Sequence, residues 1–315
     1  LIETARERVR GRPWKRAVVG SLLIAALLVP GAAAMELAVT VDDLPTHGPL
    51  PRGVARLGVA TQMIDALKRH GAPGVYGFAN GGQIEGDPSL ESLLLAWREA
   101  GFLLGNHTFS HLDLTRVSAE EFVEDIERNE GLLARLSPPG QRKYFRYPYL
   151  HNGDTPRKRT AVRKWLAARG YTIAQATVYF QDWAWNDVYA RCVALGDQTA
   201  IARLKHLFME AAMAHRAWSE EMSARLFSRQ MKHVLLLHIG PFDALMLDEL
   251  LRAYRAAGTT LITLDAALQD PAYQIDPNLG SSDERTFLQQ VALARGIEIA
   301  PLPPAPLGNL AQLCR

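Results

Sequence analysis

The chain has 315 residues, 48% hydrophobic and 22% charged, with 35 Lys and Arg against 33 Asp and Glu. This composition excludes a disordered or collagen-like polymer and suffices for a full α/β core. The net charge of +2 hides a division: residues 1–34 hold six basic residues against Glu3 and Glu7, so the remainder is slightly acidic and gives no electrostatic reason to expect nucleic acid as a partner.

Lys15-Arg16 precede the apolar run Ala17 to Val29, Pro30-Gly31 breaks it, and Ala32-Ala33-Ala34 offers an A-x-A cleavage site. The run is short for a bilayer span. Residues 1–34 therefore read as a cleaved signal peptide, and the protein as exported to the periplasm or beyond. It would be membrane-anchored only if the segment stayed uncleaved, and no stable membrane partner is expected after cleavage.

From residue 36 onward, short apolar runs alternate with amphipathic segments, the pattern of parallel strands joined by crossover helices. Strands are expected at 36–42, 74–79, 102–105, 143–147, 171–177, 233–238 and 259–264. Seven strand-helix units suggest a single-domain α/β barrel over 35–269. The first helix, about 54–70, places Leu57, Ile64 and Leu67 on one side and ends at Gly71. A second starts on the hydroxyl cap Ser118 with Glu120 and Glu121 in its first turn, and runs to about Leu136. A longer helical stretch, 197–230, sets Ile201, Leu204, Phe208, Ala212 and His215 on roughly one face and reads as an extended packing helix rather than a lid. Residues 270–315 are expected to form an outer helix near 282–295 and a loosely held Pro-rich tail. Cys192 and Cys314 are the only cysteines, which excludes a cysteine-based metal site and leaves their pairing open.

In a parallel barrel the reactive groups gather at the C-terminal ends of the strands. Asp42-Asp43 end the first strand, His107 and His111 follow the third, Arg146 and Tyr149 the fourth, Asp182 the fifth, and His238 closes the sixth. A random scatter of polar residues would not favour one rim. Consecutive carboxylates on a strand point in opposite directions, so one could bind metal while the other faces substrate. His-x-x-x-His on a helical turn would align two imidazoles, a zinc geometry, and Thr108-Phe109-Ser110 lack the Glu of the His-Glu-x-x-His proteases. Tyr179, Phe180, Trp183 and Trp185 offer flat faces suited to sugar rings, with at least two expected to pack the barrel. His47 and His151 read as solvent-facing loop histidines.

Thr-x-Asp-Asp, His-Thr-x-x-His, Arg-x-Pro-Tyr, Asp-Trp and Leu-x-His, in that order over residues 37–265, resemble the five motifs of the polysaccharide deacetylases of the NodB-homology class, carbohydrate esterase family 4. The resemblance implies a distorted (β/α)7 barrel and a metal-dependent hydrolase that removes acetyl groups from N-acetylated, or O-acetylated, glycans. It implies that Asp43, His107 and His111 bind a divalent metal, usually zinc, with cobalt, manganese or nickel as alternatives. Asp42 would be the general base and His238 the general acid. The Tyr149 N–H would serve the oxyanion, Arg146 would hold the base, Asp182 would sit beside the acid histidine, and Leu236, Trp183 and Pro148 would form the substrate pocket. Departures fall at Asp-Asp-Leu-Pro, where the family more often has Gly before the Pro, at Leu150-His151-Asn152-Gly153, where a Gly usually follows the Tyr directly, and at Asp187, a neighbour that competes with Asp182. Rival readings are an amidase for small non-carbohydrate amides, a non-catalytic metal- or glycan-binding barrel, and a non-haem iron oxygenase built on the same two-histidine, one-carboxylate set.

Overall fold

The computed structural model describes residues 34–280 and 282–315, all within the compact unit Ala34–Arg315. The expected signal peptide falls on residues of which 1–33 lie outside the described part. Among the described residues no helix is long and apolar enough to cross a membrane.

Among the described residues, seven strands, β1 (Glu36–Leu44), β2 (Tyr76–Ala79), β3 (Leu103–Asn106), β4 (Lys143–Phe145), β5 (Tyr171–Ile173), β6 (His233–His238) and β7 (Thr260–Ile262), form one sheet. All pairs are parallel, in the order β5-β4-β3-β2-β1-β6, with β7 beside the first residues of β1. The crossovers carry α1 (Arg56–Arg69), α2 (Gly82–Gly86), α3 (Glu91–Glu99), α4 (Ala119–Leu136), α5 (Pro156–Ala168), α6 (Trp185–Leu195), α7 (Gln198–Phe227) and α8 (Pro241–Ala256). After β7 come α9 (Leu264–Leu268), α10 (Phe287–Ala294) and α11 (Leu307–Leu310).

The strand alternation explains both cores. On β1, Leu37, Val39 and Val41 face the helices together with Leu235 and Leu237 of β6, while Ala38 joins Tyr76, Phe78, Tyr144 and Val234 inside the curl of the sheet. Thr40 and Asp42 continue that inner row upward, so the apolar plug gives way to polar groups toward the C-terminal rim. The sheet curls without a complete strand pair between β5 and β6. There β5 stops at Ile173, short of the expected 177, and the irregular segment after it reaches β6 through one parallel bridge, Val178 to Leu235. This is the distortion of the barrel.

Ser118 caps α4 in a full capping box with Glu121, as its sequence promised. On α1 the buried side is Val59, Ala60, Met63, Ile64, Ala66 and Leu67, whereas Leu57 is 51% exposed, against expectation. It sits in the first turn, before the helix meets the sheet. Helix α7 packs as expected, with Ile201, Leu204, Phe208, Ala212 and His215 all buried. A separate helix, α6, precedes it, because Gly196 takes a left-handed φ of 68° and breaks the run.

The C-terminal region is not loosely held. Val291, Leu288 and Phe287 of α10 pack on Trp218, Met222 and Leu226 of α7, Trp218 Nε1 donates to the Ala300 carbonyl, and Cys314 is disulfide-bonded to Cys192 of α6.

Candidate active site

Strand ends bring the candidate residues to one cavity of about 210 Å³, lined by Asp42, Asp43, His107, His111, His238, Tyr149, Trp183 and Leu236. Pro148 is buried in the turn before Tyr149 and does not line it.

Asp42 and Asp43 do not diverge as strand alternation requires. The β1–β2 register shifts between Val41 and Leu44, and Asp43 adopts φ 64°. This local irregularity turns the second carboxylate toward the same rim as the first. Asp42 is 1% exposed and faces Arg146 Nη1 at 3.3 Å, and Arg146 Nη2 donates to Thr40 Oγ1 at 3.0 Å. The guanidinium, itself buried, lies 4.7 Å from the Phe78 ring centre.

Nor do His107 and His111 lie on a helix. They flank a loop in which Thr108 and His111 have positive φ, and the rings meet edge-on at 4.9 Å. Buried amides hold this loop. Asn80 Nδ2 donates to the His107 and Thr108 carbonyls, Asn106 Oδ1 accepts from Thr108 N–H, and Asn129 Nδ2 donates to Asn106 Oδ1. Asp125 of α4 accepts from the Ser110 N–H and hydroxyl. Sequence reasoning missed these residues, since isolated Asn and Asp side chains carry no motif.

The Arg146 carbonyl lies 2.8 Å from His107 Nδ1 and can only accept, so that nitrogen carries the proton and Nε2 faces the Asp43 side. Asp43 Oδ1 lies 3.3 Å from His107 Nε2 and 3.2 Å from His111 Nε2, and is buried without a hydrogen-bond partner among the described residues. Ligand atoms around a tetrahedral zinc with bonds of about 2.0–2.1 Å stand about 3.4 Å apart. The spacing, the committed Nδ1 proton and the orphaned oxygen fit a cation, and these three residues are a group able to hold a metal ion.

His47 belongs to this site rather than to solvent. Its Nδ1 is 2.7 Å from Asp43 Oδ2, and its ring is 5.0 Å from that of His238. The loop is pinned by Arg56, whose Nη1 donates to the His47 and Gly48 carbonyls. His151 is also part-buried, bonded to Asp113 at 3.0 Å, and stays outside the cavity. Burial works to raise the Asp43 pKa, but His107, His47, His111 and His238 outweigh it and hold the carboxyl well below its usual range. Burial pushes His111 down to about 4 despite Asp43.

On the opposite side, Asp182 accepts from the His238 N–H at 2.7 Å and faces its Nδ1 at 3.0 Å. Burial opposes charge on His238, yet Asp182, Asp43 and Asp42 raise it to about 10. Asp187 is exposed on α6 and takes no part. Asp182 carries a second buried carboxyl, Asp243 of α8, whose pKa is driven well above the usual range by burial and by the Asp182 charge. Asn186 joins the two elements, accepting from Phe242 N–H and donating to the Trp183 carbonyl. A Cβ on Gly240 would meet the Asn186 amide at 2.2 Å, so glycine is required there. Tyr179 and Trp183 line the cavity, while Phe180 and Trp185 pack against Phe208, the expected division of the four aromatics.

Tyr149, with φ 58°, is 45% exposed, and its ring stands 4.5 Å from that of His111. Leu150, also at positive φ, lines the cavity, so the unusual loop still closes over the site.

Residues 32–172 match the family model for polysaccharide deacetylases. The chain is 28% identical over 148 residues to a peptidoglycan-N-acetylglucosamine deacetylase of Bacillus cereus, covering 47% of this chain and 46% of that protein. It is 26% identical over 149 residues to a chitin deacetylase of Arthroderma benhamiae, covering 47% of this chain and 35% of that protein. The match thus spans less than half the length of these curated relatives. Among solved structures, a mutant CE4 family pseudoenzyme with restored enzymatic activity superposes with a TM-score of 0.51 at 14% identity, over 75% of this chain and 68% of that one. That likeness shows a shared fold.

Proposed function

We propose that this chain, whose residues 32–172 carry the polysaccharide deacetylase sequence pattern, hydrolyses the acetamide groups of acetylated glycans with a divalent metal held by Asp43, His107 and His111. The observation that carries the reading is the placing of a carboxylate, Asp42, and a histidine, His238, at the same cavity as the metal-fitting triad, each with its own buried ionic partner. A binding module needs neither group.

When bound, the metal supplies Lewis acidity, polarising the acyl oxygen and making water easier to deprotonate. Asp42, oriented by Arg146, takes a proton from the attacking water as its oxygen bonds to the acyl carbon. The Tyr149 N–H is assigned to the oxyanion that develops there, a contribution of about 3 kcal/mol for a well-placed donor. His238, held by Asp182, delivers its proton to the leaving nitrogen as the C–N bond breaks, giving acetate and a free amine. His47 orients Asp43 through Oδ2, leaving Oδ1 for the metal. Leu236, packed with Ala176 and Tyr179, forms an apolar wall for the acetyl methyl.

Export is part of the proposal. The basic, apolar and small-residue pattern of residues 1–34 and the Cys192–Cys314 disulfide both suit an oxidising compartment. Acetate release from N-acetylated and O-acetylated oligosaccharides, and from small non-carbohydrate amides, with and without chelator, tests the activity. Chelator-sensitive release from the glycans is expected, and release indifferent to chelator would sink the mechanism.

A further inference from the structure

One residue lining the cavity comes from outside the barrel. Glu284 lies between α9 and α10, far beyond residues 32–172, yet lines the same space as Asp42, Asp43 and His238. Its Oε2 accepts from Tyr179 Oη at 3.0 Å and Gln181 Nε2 at 2.8 Å, and Trp183 Nε1 donates to Tyr179 Oη at 2.9 Å. Among the described residues both of its hydrogen bonds fall on Oε2. A carboxylate offers about four acceptor positions, so Oε1 keeps capacity for a ligand's donors.

This wall stands on the His238 side, the Tyr179 ring being 6.4 Å from the His238 ring. Since His238 faces the leaving nitrogen, the wall meets the sugar that bears it. The described residues lining the cavity include no lysine or arginine, and Arg146 is buried behind Asp42. Hydroxyl groups would meet an acceptor framed by aromatic faces. A sugar carboxylate would meet a like charge, and the one histidinium on that side, His238, is already paired with Asp182.

We infer that Glu284, framed by Tyr179 and Trp183, is a specificity-determining residue that admits uncharged acetylated amino sugars through their hydroxyl groups and rejects those bearing a carboxylate. The inference rests on the deacetylase reading of the site. Like charges about 6 Å apart across solvent at the cavity, with an effective dielectric constant of about 40–80, repel enough for roughly three- to tenfold discrimination.

The test compares the metal-loaded protein on a tetramer of N-acetylglucosamine and on the same tetramer carrying an ether-linked carboxylate, by calorimetric affinity and by rate of acetate release. The neutral tetramer is expected to be favoured by about three- to tenfold in affinity. Glu284→Gln, which keeps the shape and an acceptor oxygen, should bring the ratio close to one. The wild-type protein supplies a second arm: a ratio set by charge narrows at high ionic strength. Equal binding of the two tetramers, or a ratio unmoved by both Glu284→Gln and salt, overturns the inference. A retained affinity ratio without any acetate release supports the subsite and overturns the deacetylase reading alone.

Discussion

Asp42 and His238 are register partners, the last matched pair of the parallel β1–β6 ladder that begins at Leu37 and His233. The two proposed proton-transfer groups are therefore separated at the backbone by one strand spacing, about 4.8 Å, and both belong to the inward row of their strands. Their relative position is a property of the sheet and not of a loop.

Asp42→Asn keeps the shape of the side chain and removes the proposed base. We expect kcat to fall by about 10²–10⁴, with metal content and glycan affinity largely kept. Turnover within tenfold of wild type, in protein of matched metal content, would remove Asp42 from the mechanism.

The His238–Asp182 pair sets a pH dependence. Because the His238 pKa is raised to about 10 against burial, the protonated imidazole, the proposed acid, persists across the neutral range and is lost only as pH rises through that value. The same shift contributes stability that is fully present below the unfolded histidine value of about 6.5 and lost as pH approaches 10. Asp182→Asn should move the alkaline limb of the kcat profile to lower pH by at least about one unit. An unchanged limb would show that the limb belongs to another group.

Metal binding should be readable as stability. A ligand that binds only the folded chain adds about 2.7 kcal/mol at a hundredfold excess over its Kd, so chelation should lower the Tm and added zinc restore it. His107→Gln should abolish that zinc-dependent rise, whereas His151→Gln, outside the cavity, should retain it. Equal rises in both variants would place the metal elsewhere.

The Cys192–Cys314 disulfide closes a separation of 122 residues and ties the last residues of the chain to α6. Chain-entropy reasoning gives an upper figure of about 5 kcal/mol for a loop of that length. Cys314→Ser should lower the unfolding midpoint while leaving the metal-dependent rise in place, since both cysteines lie away from the cavity. Thermal unfolding with and without reductant provides the check, and wild-type protein indifferent to reductant would argue against the bond.

The strands were legible because parallel strands covered on both faces must be apolar throughout, and the runs around Val39, Phe78, Leu104 and Leu235 have no other use. The order of the motifs pointed to one rim for the same reason, since strand ends in a parallel sheet share a side. Less legible were features decided by pairs distant in sequence. His47 looked like a loop histidine until Arg56 and Asp43 placed it. Asn80, Asn106 and Asn129 showed no pattern, although together they shape the His107–His111 loop. Alternation placed Asp43 on the wrong face because a register shift is a property of two strands, and the helical spacing of His107 and His111 was satisfied by left-handed loop residues instead.

Taken alone, the sequence determined the α/β class, the seven strands and the list of groups able to hold a metal and move a proton, because periodicity and side-chain chemistry are local. Tertiary structure decided which atoms meet. Only the folded chain commits the His107 Nδ1 proton to the Arg146 carbonyl, sets Asp43 Oδ1 between two imidazoles with no hydrogen bond from the described residues, and brings Glu284 from the C-terminal region to the cavity lining. These contacts span 39, 64 and more than 100 residues of chain. Hydrogen bonding and charge act over a few ångströms, and it is packing of the barrel that closes those distances.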